Sequence, residues 1–173
     1  MKDPKIKKAA KFAALAHLGQ QRKYTGAPYI IHPANVAALV QCFSNNPDTI
    51  CAAWLHDTVE DTSVTLQHIE KLFNNRVAEL VRMVTNIAKQ EDGNRGERVA
   101  TNILHLLDAD PEAKTIKLAD ILHNISDIVE HDHEFAKQYL GEKELCLLAL
   151  SDGHPALFKI VEATIQHFKR QLC

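Results

Sequence analysis

Ile50-Cys51-Ala52-Ala53-Trp54-Leu55-His56-Asp57-Thr58-Val59-Glu60-Asp61-Thr62 begins as an apolar helix and turns into four ionisable groups within its last turns. Burying unpaired charge on such a stretch is expensive. Helical spacing sets His56 one turn below Glu60 and Asp57 one turn below Asp61, so that one His and three carboxylates face one small volume. Imidazole and carboxylate together are the mixed ligands of divalent first-row metals, and a bound ion would resolve the cost. The plain alternative is an acidic helix end in which His56 packs and the carboxylates are solvated. The adjacent His-Asp pair behind an apolar lead-in favours the metal.

Outward from that stretch the chain reads as helices packed on helices. Apolar residues recur at three and four, β-branched alternation is nearly absent, and only six glycines and six prolines punctuate the 173 residues. The expected fold is an all-α bundle of roughly eight to ten helices in one domain covering residues 1–173, a length able to bury one continuous core. Asp3-Pro4 caps a first helix that should run to Gly19. Gln20 to Ile31, with Gly26 and Pro28, reads as a loop leading to His32-Pro33, and Pro33 opens a helix through about Phe43. Asn45-Asn46-Pro47-Asp48 breaks the chain before the Trp54 helix. Short helices are expected from Thr65 to Phe73 and from Arg76 to about Ala88. Lys89 to Gly96 reads as a mobile polar loop. Helices follow at about Glu97 to Leu107, Ala113 to Val129, Glu134 to Leu150 and Pro155 to Leu172.

Charge and cysteine usage narrow the class. The net charge is −2, and the Lys-rich start from Lys2 to Lys11 is local, so neither DNA nor RNA is expected as a partner. Cys42, Cys51, Cys146 and Cys173 lack a paired spacing and read as reduced core or tail residues. No apolar run is long enough to span a bilayer, and the expected location is the cytoplasm. The apolar face of the last helix, with Phe158, Ile160, Val161, Ile165 and Phe168, is suited either to packing within the domain or to a homodimer interface.

A metal needs more ligands than His56 and Asp57. His32 stands where the Gly/Pro loop gives way to a helix, either aimed inward as a ligand or serving as a capping or surface histidine. Asp120, in Lys117-Leu118-Ala119-Asp120-Ile121-Leu122-His123-Asn124-Ile125, is a carboxylate within an apolar helix and demands a partner, which is either a metal or a distant Lys or Arg. His123 is not assigned as a ligand. Two imidazoles and two carboxylates favour Mn²⁺ or a similar octahedral ion over structural zinc. Such an ion acidifies water and neutralises phosphate oxygens, which suits hydrolysis of a phosphate ester or anhydride, with Glu60 and Asp61 placed to hold or deprotonate the water. Glu130-His131-Asp132-His133-Glu134 reads as a solvated helix junction, and Trp54 and Phe73 as core.

Four blocks in order carry a more specific likeness: Ala16-His17-Leu18-Gly19-Gln20-Gln21-Arg22-Lys23; Pro28-Tyr29-Ile30-Ile31-His32-Pro33 with Val36-Ala37; His56-Asp57-Thr58-Val59-Glu60-Asp61-Thr62; and Lys114-Thr115-Ile116-Lys117-Leu118-Ala119-Asp120 followed by His123-Asn124. Together they resemble the stand-alone small alarmone hydrolases, relatives of the Rel/Spo-type hydrolase domain within the HD-domain phosphohydrolases. The resemblance implies Mn²⁺ held by His32, His56, Asp57 and Asp120, and water activation by Glu60 and Asp61. It also implies a nucleotide pocket lined by Arg22, Lys23 and Tyr29, and a ribose contact from Asn124. The implied reaction removes the 3′-pyrophosphate of guanosine tetraphosphate or pentaphosphate. Other readings keep the site with another nucleotide, such as the 2′-phosphate of NADPH, or make the chain a silent nucleotide-binding regulator. Two departures from the family pattern bear on the substrate: Ile121 and Ser126 stand where basic residues are usual. Asp127 resembles the stand-alone members, and after Thr85 the usual basic run is reduced to Lys89, Arg95 and Arg98 beside Asn86.

Overall fold

The computed structural model describes residues 3–172, so Lys2 and Cys173 lie outside the described residues. Among them are ten α-helices and no strand, only an isolated antiparallel bridge between Gln21 and Pro28. They fall into two compact units that divide between Thr85 and Asn86.

The first unit contains α1 (Pro4–Ala16), α2 (Ile31–Phe43), α3 (Pro47–Leu55), α4 (Thr58–Asp61), α5 (Leu66–Leu72) and α6 (Asn75–Val84). α3 is its centre: it packs against α1, α2 and α6, and Cys51, Ala52, Ala53 and Leu55 are completely buried. Small residues there, and Ala9 and Ala13 on α1, let the helix backbones approach closely. Asn46 caps α3 and Pro47 occupies its first turn, so the expected break is also the start of a helix. Trp54 and Phe73 are half-buried, the latter edge-on to Phe12 at 5.8 Å between centroids. α1 stops at Ala16 rather than Gly19, because the chain turns at His17 and reaches a positive φ of 84° at Gly19.

The second unit holds α7 (Arg95–Leu107), α8 (Pro111–His131), α9 (His133–Leu147) and α10 (Pro155–Leu172). α8 is nearly enveloped from Ala113 to Ile121 and packs against α9 and α10. Val161 and Ile165 of α10 are buried in this unit, so part of its apolar face is used inside the fold. Asp132 caps α9, which places the acidic and histidine-rich cluster at a helix junction, as expected.

Further boundaries differ from expectation. α6 ends at Val84, not near Ala88, and α7 begins at Arg95, where Asn94 and Glu97 form a reciprocal capping box. The intervening segment is tied down: Asn102 Oδ1 accepts from the Ile87 and Ala88 amides at 3.0 and 3.1 Å, and Arg98 donates to the Gly93 carbonyl at 2.6 Å. No helix among the described residues is long and apolar enough to cross a membrane. Cys42, Cys51 and Cys146 are free thiols, and burial pushes the Cys51 thiol up to about 12.

Candidate metal centre

The helix carrying Trp54 does not run through the ionisable cluster. α3 stops at Leu55, the backbone bends at His56 and Asp57, and α4 restarts at Thr58. The buried Thr58 hydroxyl donates to the Leu55 carbonyl at 2.7 Å, satisfying a backbone group that the break would otherwise orphan. The Asp61 amide still donates to the Asp57 carbonyl at 2.9 Å, so these two acids remain one turn apart.

At this bend three side chains converge. His32, in the first turn of α2, and His56 are buried, and Asp57 is largely so. His32 Nε2 lies 3.2 Å from His56 Nε2 and 3.3 Å from Asp57 Oδ2, and His56 Nε2 lies 3.1 Å from the same oxygen. Among the described residues this is the one group of three or more such side chains arranged to share an ion. His56 Nδ1 sits 2.9 Å from the Ala53 carbonyl, which makes Nδ1 the protonated nitrogen and turns the Nε2 lone pair toward Asp57. Three acceptor atoms this close repel one another unless a proton or cation lies among them. Their spacing matches the edge of a coordination polyhedron with bonds of about 2.0–2.2 Å. The residues therefore fit a divalent ion.

Protonated histidines have the same effect on Asp57 as a cation would. Burial alone would push its carboxyl up, but the charge of His56 and hydrogen bonds from His32 and His56 outweigh burial and hold it well below the usual carboxylate range. Tyr29 adds a further bond, its hydroxyl donating to Asp57 Oδ2 at 2.7 Å. Burial, then the negative charge and hydrogen bonding of Asp57 and Asp61, raise the Tyr29 phenol well above its ordinary value and keep it a donor. Glu60 and Asp61 are exposed at the end of α4. Loss of water around the Asp61 carboxyl and the charge of Asp57 raise its pKa, with Glu60 adding to the shift and the Tyr29 hydroxyl and His17 opposing it.

Arg22, Lys23 and Tyr29 share a small hairpin. The Arg22 amide donates to Ala27 at 2.8 Å, the Gly26 amide to Arg22 at 3.0 Å, and Gly26 takes a positive φ of 68° that closes the turn. Arg22 lies over the Tyr29 ring at 5.8 Å, and Lys23 over Tyr24 at 4.6 Å. Sequence reading placed Tyr29 in a nucleotide pocket; its hydroxyl is engaged with Asp57. It passed over His17 and Gln20 as individual side chains, although His17 is buried, its Nδ1 lies 2.6 Å from Gln20 Oε1, and Gln20 Nε2 donates to the Asp61 carbonyl at 2.8 Å. A histidine at a helix end, followed by a glycine and a glutamine, is the sequence signal for that contact.

In the second unit, Asp120 is buried and bonded within its own helix, to Lys117 Nζ at 3.0 Å and to Asn124 Nδ2 at 2.6 Å. Lys117 is the partner that sequence reading missed, one turn away rather than distant. Ile121 is completely buried and Ser126 is exposed. Arg95 is held by Glu142 through two bonds of 2.6 and 2.8 Å.

The chain is 39% identical over 137 residues to the guanosine-3′,5′-bis(diphosphate) 3′-pyrophosphohydrolase of Aquifex aeolicus, a match covering 79% of this chain and 20% of that protein. It is 39% identical over 124 residues to the bifunctional (p)ppGpp synthase/hydrolase SpoT of Escherichia coli, covering 70% and 18%. The chain thus spans about a fifth of the length of these curated relatives. Among solved structures, a metazoan SpoT ortholog described as hydrolysing ppGpp superposes with a TM-score of 0.84 at 30% identity, covering 99% of this chain and 97% of that one. A Listeria monocytogenes protein shares the fold at a TM-score of 0.67 and 24% identity. The HD domain family model matches residues 9–145, and the chain belongs to that family.

Proposed function

We propose that this chain is a metal-dependent phosphohydrolase that removes the 3′-pyrophosphate from guanosine tetraphosphate or pentaphosphate. The observation that carries the reading is the triangle of His32 Nε2, His56 Nε2 and Asp57 Oδ2, with edges of 3.1–3.3 Å, in a chain whose likeness to a structurally known ppGpp hydrolase extends over 99% of its length. The family match crosses the boundary at Thr85, which supports treating the chain as a single HD-type domain built of two compact units.

His32, His56 and Asp57 are the residues that hold the ion, and Asp120 and Asn124 carry over as a further ligand and a ribose contact on the strength of the sequence resemblance. Nitrogen and oxygen donors without cysteine favour Mn²⁺. When bound, the ion supplies neutralisation of phosphate oxygens and acidification of water. The chain's own groups supply the rest. Tyr29 holds the Asp57 carboxylate in place by donating to it. Asp61, whose pKa is raised by burial and the charge of Asp57, and Glu60 accept the proton of the attacking water. Water adds to the phosphorus joined to the ribose 3′-oxygen, that P–O bond breaks, pyrophosphate leaves, and the 3′-hydroxyl regains a proton. Arg22 and Lys23 on the hairpin offer a planar cation and a point charge to the base and phosphates. Such an enzyme works on a soluble nucleotide pool, in keeping with a cytoplasmic location.

The test is a nucleotide panel incubated with metal-free protein reloaded separately with Mn²⁺, Zn²⁺ and Mg²⁺, with every product identified. Pyrophosphate and GDP from guanosine tetraphosphate, fastest with Mn²⁺, are expected. Orthophosphate released from NADPH with guanosine tetraphosphate left intact overturns the substrate, and tight binding of the alarmone without cleavage overturns the activity.

A further inference from the structure

The end of α1 contacts the proposed site without contributing a ligand to it. His17 caps the helix, its carbonyl accepts from the Gln20 amide at 3.0 Å, and Gly19 turns the chain with a φ of 84°. That turn folds the His17 and Gln20 side chains against each other. Gln20 Nε2 is committed to the Asp61 carbonyl at 2.8 Å, so the Gln20 oxygen must face His17 Nδ1 at 2.6 Å, and Nδ1 must carry the hydrogen. His17 Nε2 is buried and has no hydrogen-bond partner among the described residues. Every directional bond of this imidazole is therefore spent on Gln20. Its flat face lies against Tyr29, with ring centroids 4.9 Å apart and an interplanar angle of 36°, and Tyr29 in turn bonds Asp57.

Resting on the hydrolase reading above, we infer that His17 is a positioning residue for water activation: through Gln20 it fixes the backbone of Asp61, and through its ring face it fixes Tyr29, so that Asp61 and Asp57 keep their mutual aim. The physical case is one of otherwise unexplained expense. A buried imidazole with one nitrogen unsatisfied costs stability. Leu or Phe would fill an apolar site at that helix end without the penalty. What they lack is the Nδ1–H that orients Gln20. Asp61 closes a helix of only four residues, which has little stiffness of its own, so an external tether at its carbonyl sets where its carboxylate points.

The inference makes a stereochemical prediction. An asparagine side chain places its amide where His Nδ1 lies, and a glutamine places it where Nε2 lies. His17→Asn is expected to keep kcat within about three-fold of the parent, whereas His17→Ala, His17→Gln and Gln20→Glu lower kcat about ten-fold or more. In Gln20→Glu, KM and Mn²⁺ affinity stay near the parent values, because the His17 ring still lies on Tyr29 and no ligand is touched. Gln20 is only half-buried, so Gln20→Glu folds even if a His17 variant does not. Independently of turnover, ¹⁵N NMR of the metal-free protein should show His17 protonated at Nδ1 and bare at Nε2, with the Nδ1 signal shifted in Gln20→Glu. Equal kcat for parent and Gln20→Glu, or a His17→Asn variant as slow as His17→Ala, overturns the inference. An Nε2–H tautomer overturns it also. If no nucleotide is hydrolysed by the parent protein, the functional reading fails by itself, and the NMR arm still decides whether the tether exists.

Discussion

Asp57 and Asp120 are both carboxylates placed on otherwise apolar helical sequence, yet their surroundings differ in kind. Asp120 sits on a continuous helix and already has an ammonium and an amide at hydrogen-bond distance, Lys117 and Asn124. Asp57 sits at a bend, faced by two imidazole nitrogens and a phenol. The first is a charge neutralised by its own helix. The second is a charge whose partners are lone-pair donors, which do not neutralise it unless protonated or joined by a cation. In the metal-free chain the two proposed ligands therefore start from different states: Asp120 is paired from its own helix, whereas Asp57 is paired only through a proton or a cation.

The largest effect follows from removing that second environment. Asp57→Ala or His56→Ala should abolish Mn²⁺ retention, measured on dialysed protein, and lower kcat/KM by at least about 10³-fold, the order of a lost metal-assisted step. Retention of stoichiometric Mn²⁺ by Asp57→Ala would remove the triangle from the account. Stability of the metal-free protein separates the two acids in the other direction. Asp120→Asn removes the carboxylate charge that Lys117 bonds at 3.0 Å and should cost about 2–3 kcal/mol in denaturant unfolding, somewhat below the usual loss on breaking a buried pair because the amide still accepts. At a pH where His32 and His56 are neutral, Asp57→Asn relieves a buried carboxylate and should cost less than about 1 kcal/mol. Equal losses would mean that the two sites are alike after all.

Much of this contrast was legible before the fold. Helices at Pro4 and Pro155 announce themselves through proline in the first turn, whereas Pro47 reads as a break and α8 is expected only from Ala113; the His56-Asp57 pair stands out because charge appears where the periodicity calls for core. Helix ends were less legible. The sequence from Thr85 to Ala88 can continue a helical pattern, and only the capping box at Asn94 and the long-range bonds of Asn102 place the two helix boundaries. The bend after Leu55 was hidden for the same reason: Thr58 satisfies the broken turn with a side chain whose helical propensity gives no hint of it. Partners such as Lys117 and tethers such as Gln20 depend on rotamers, which composition does not encode.

Tyr29 links the two acids of the first unit, and its removal should have a smaller but signed effect. Its hydroxyl favours the ionised form of both Asp57 and Asp61. Asp61 must be ionised to accept a proton, so kcat/KM falls as pH drops through its already raised pKa. Tyr29→Phe withdraws a bond to the carboxylate, raises that pKa further, and should move the acid limb to higher pH while lowering the plateau about ten-fold. A limb that moves to lower pH would show that Asp61 is not the group being titrated.

The smallest effect tests packing around Asp120 without touching charge. α3 is approached closely by its neighbours because Ala52 and Ala53 are small, whereas α8 is approached by the loop before α10 at Gly153. A Cβ added there would stand 2.8 Å from Leu118 Cδ1 and 3.2 Å from the Leu150 carbonyl oxygen. The leucine end can swing; the carbonyl cannot, so the loop must shift. The same loop is tied to α8 by the His154 amide, which donates to Thr115 Oγ1 at 2.9 Å, and by Lys114, which bonds Asp152 at 2.7 Å. Gly153→Ala should therefore cost about 1–2 kcal/mol in denaturant unfolding, the range for a single overpacked methyl. Because Lys117, Asp120 and Asn124 bond within their own helix, the variant should leave kcat unchanged. A fall in kcat at full folding would mean that the register of α8 against this loop, and not only the local pairing of Asp120, sets the activity.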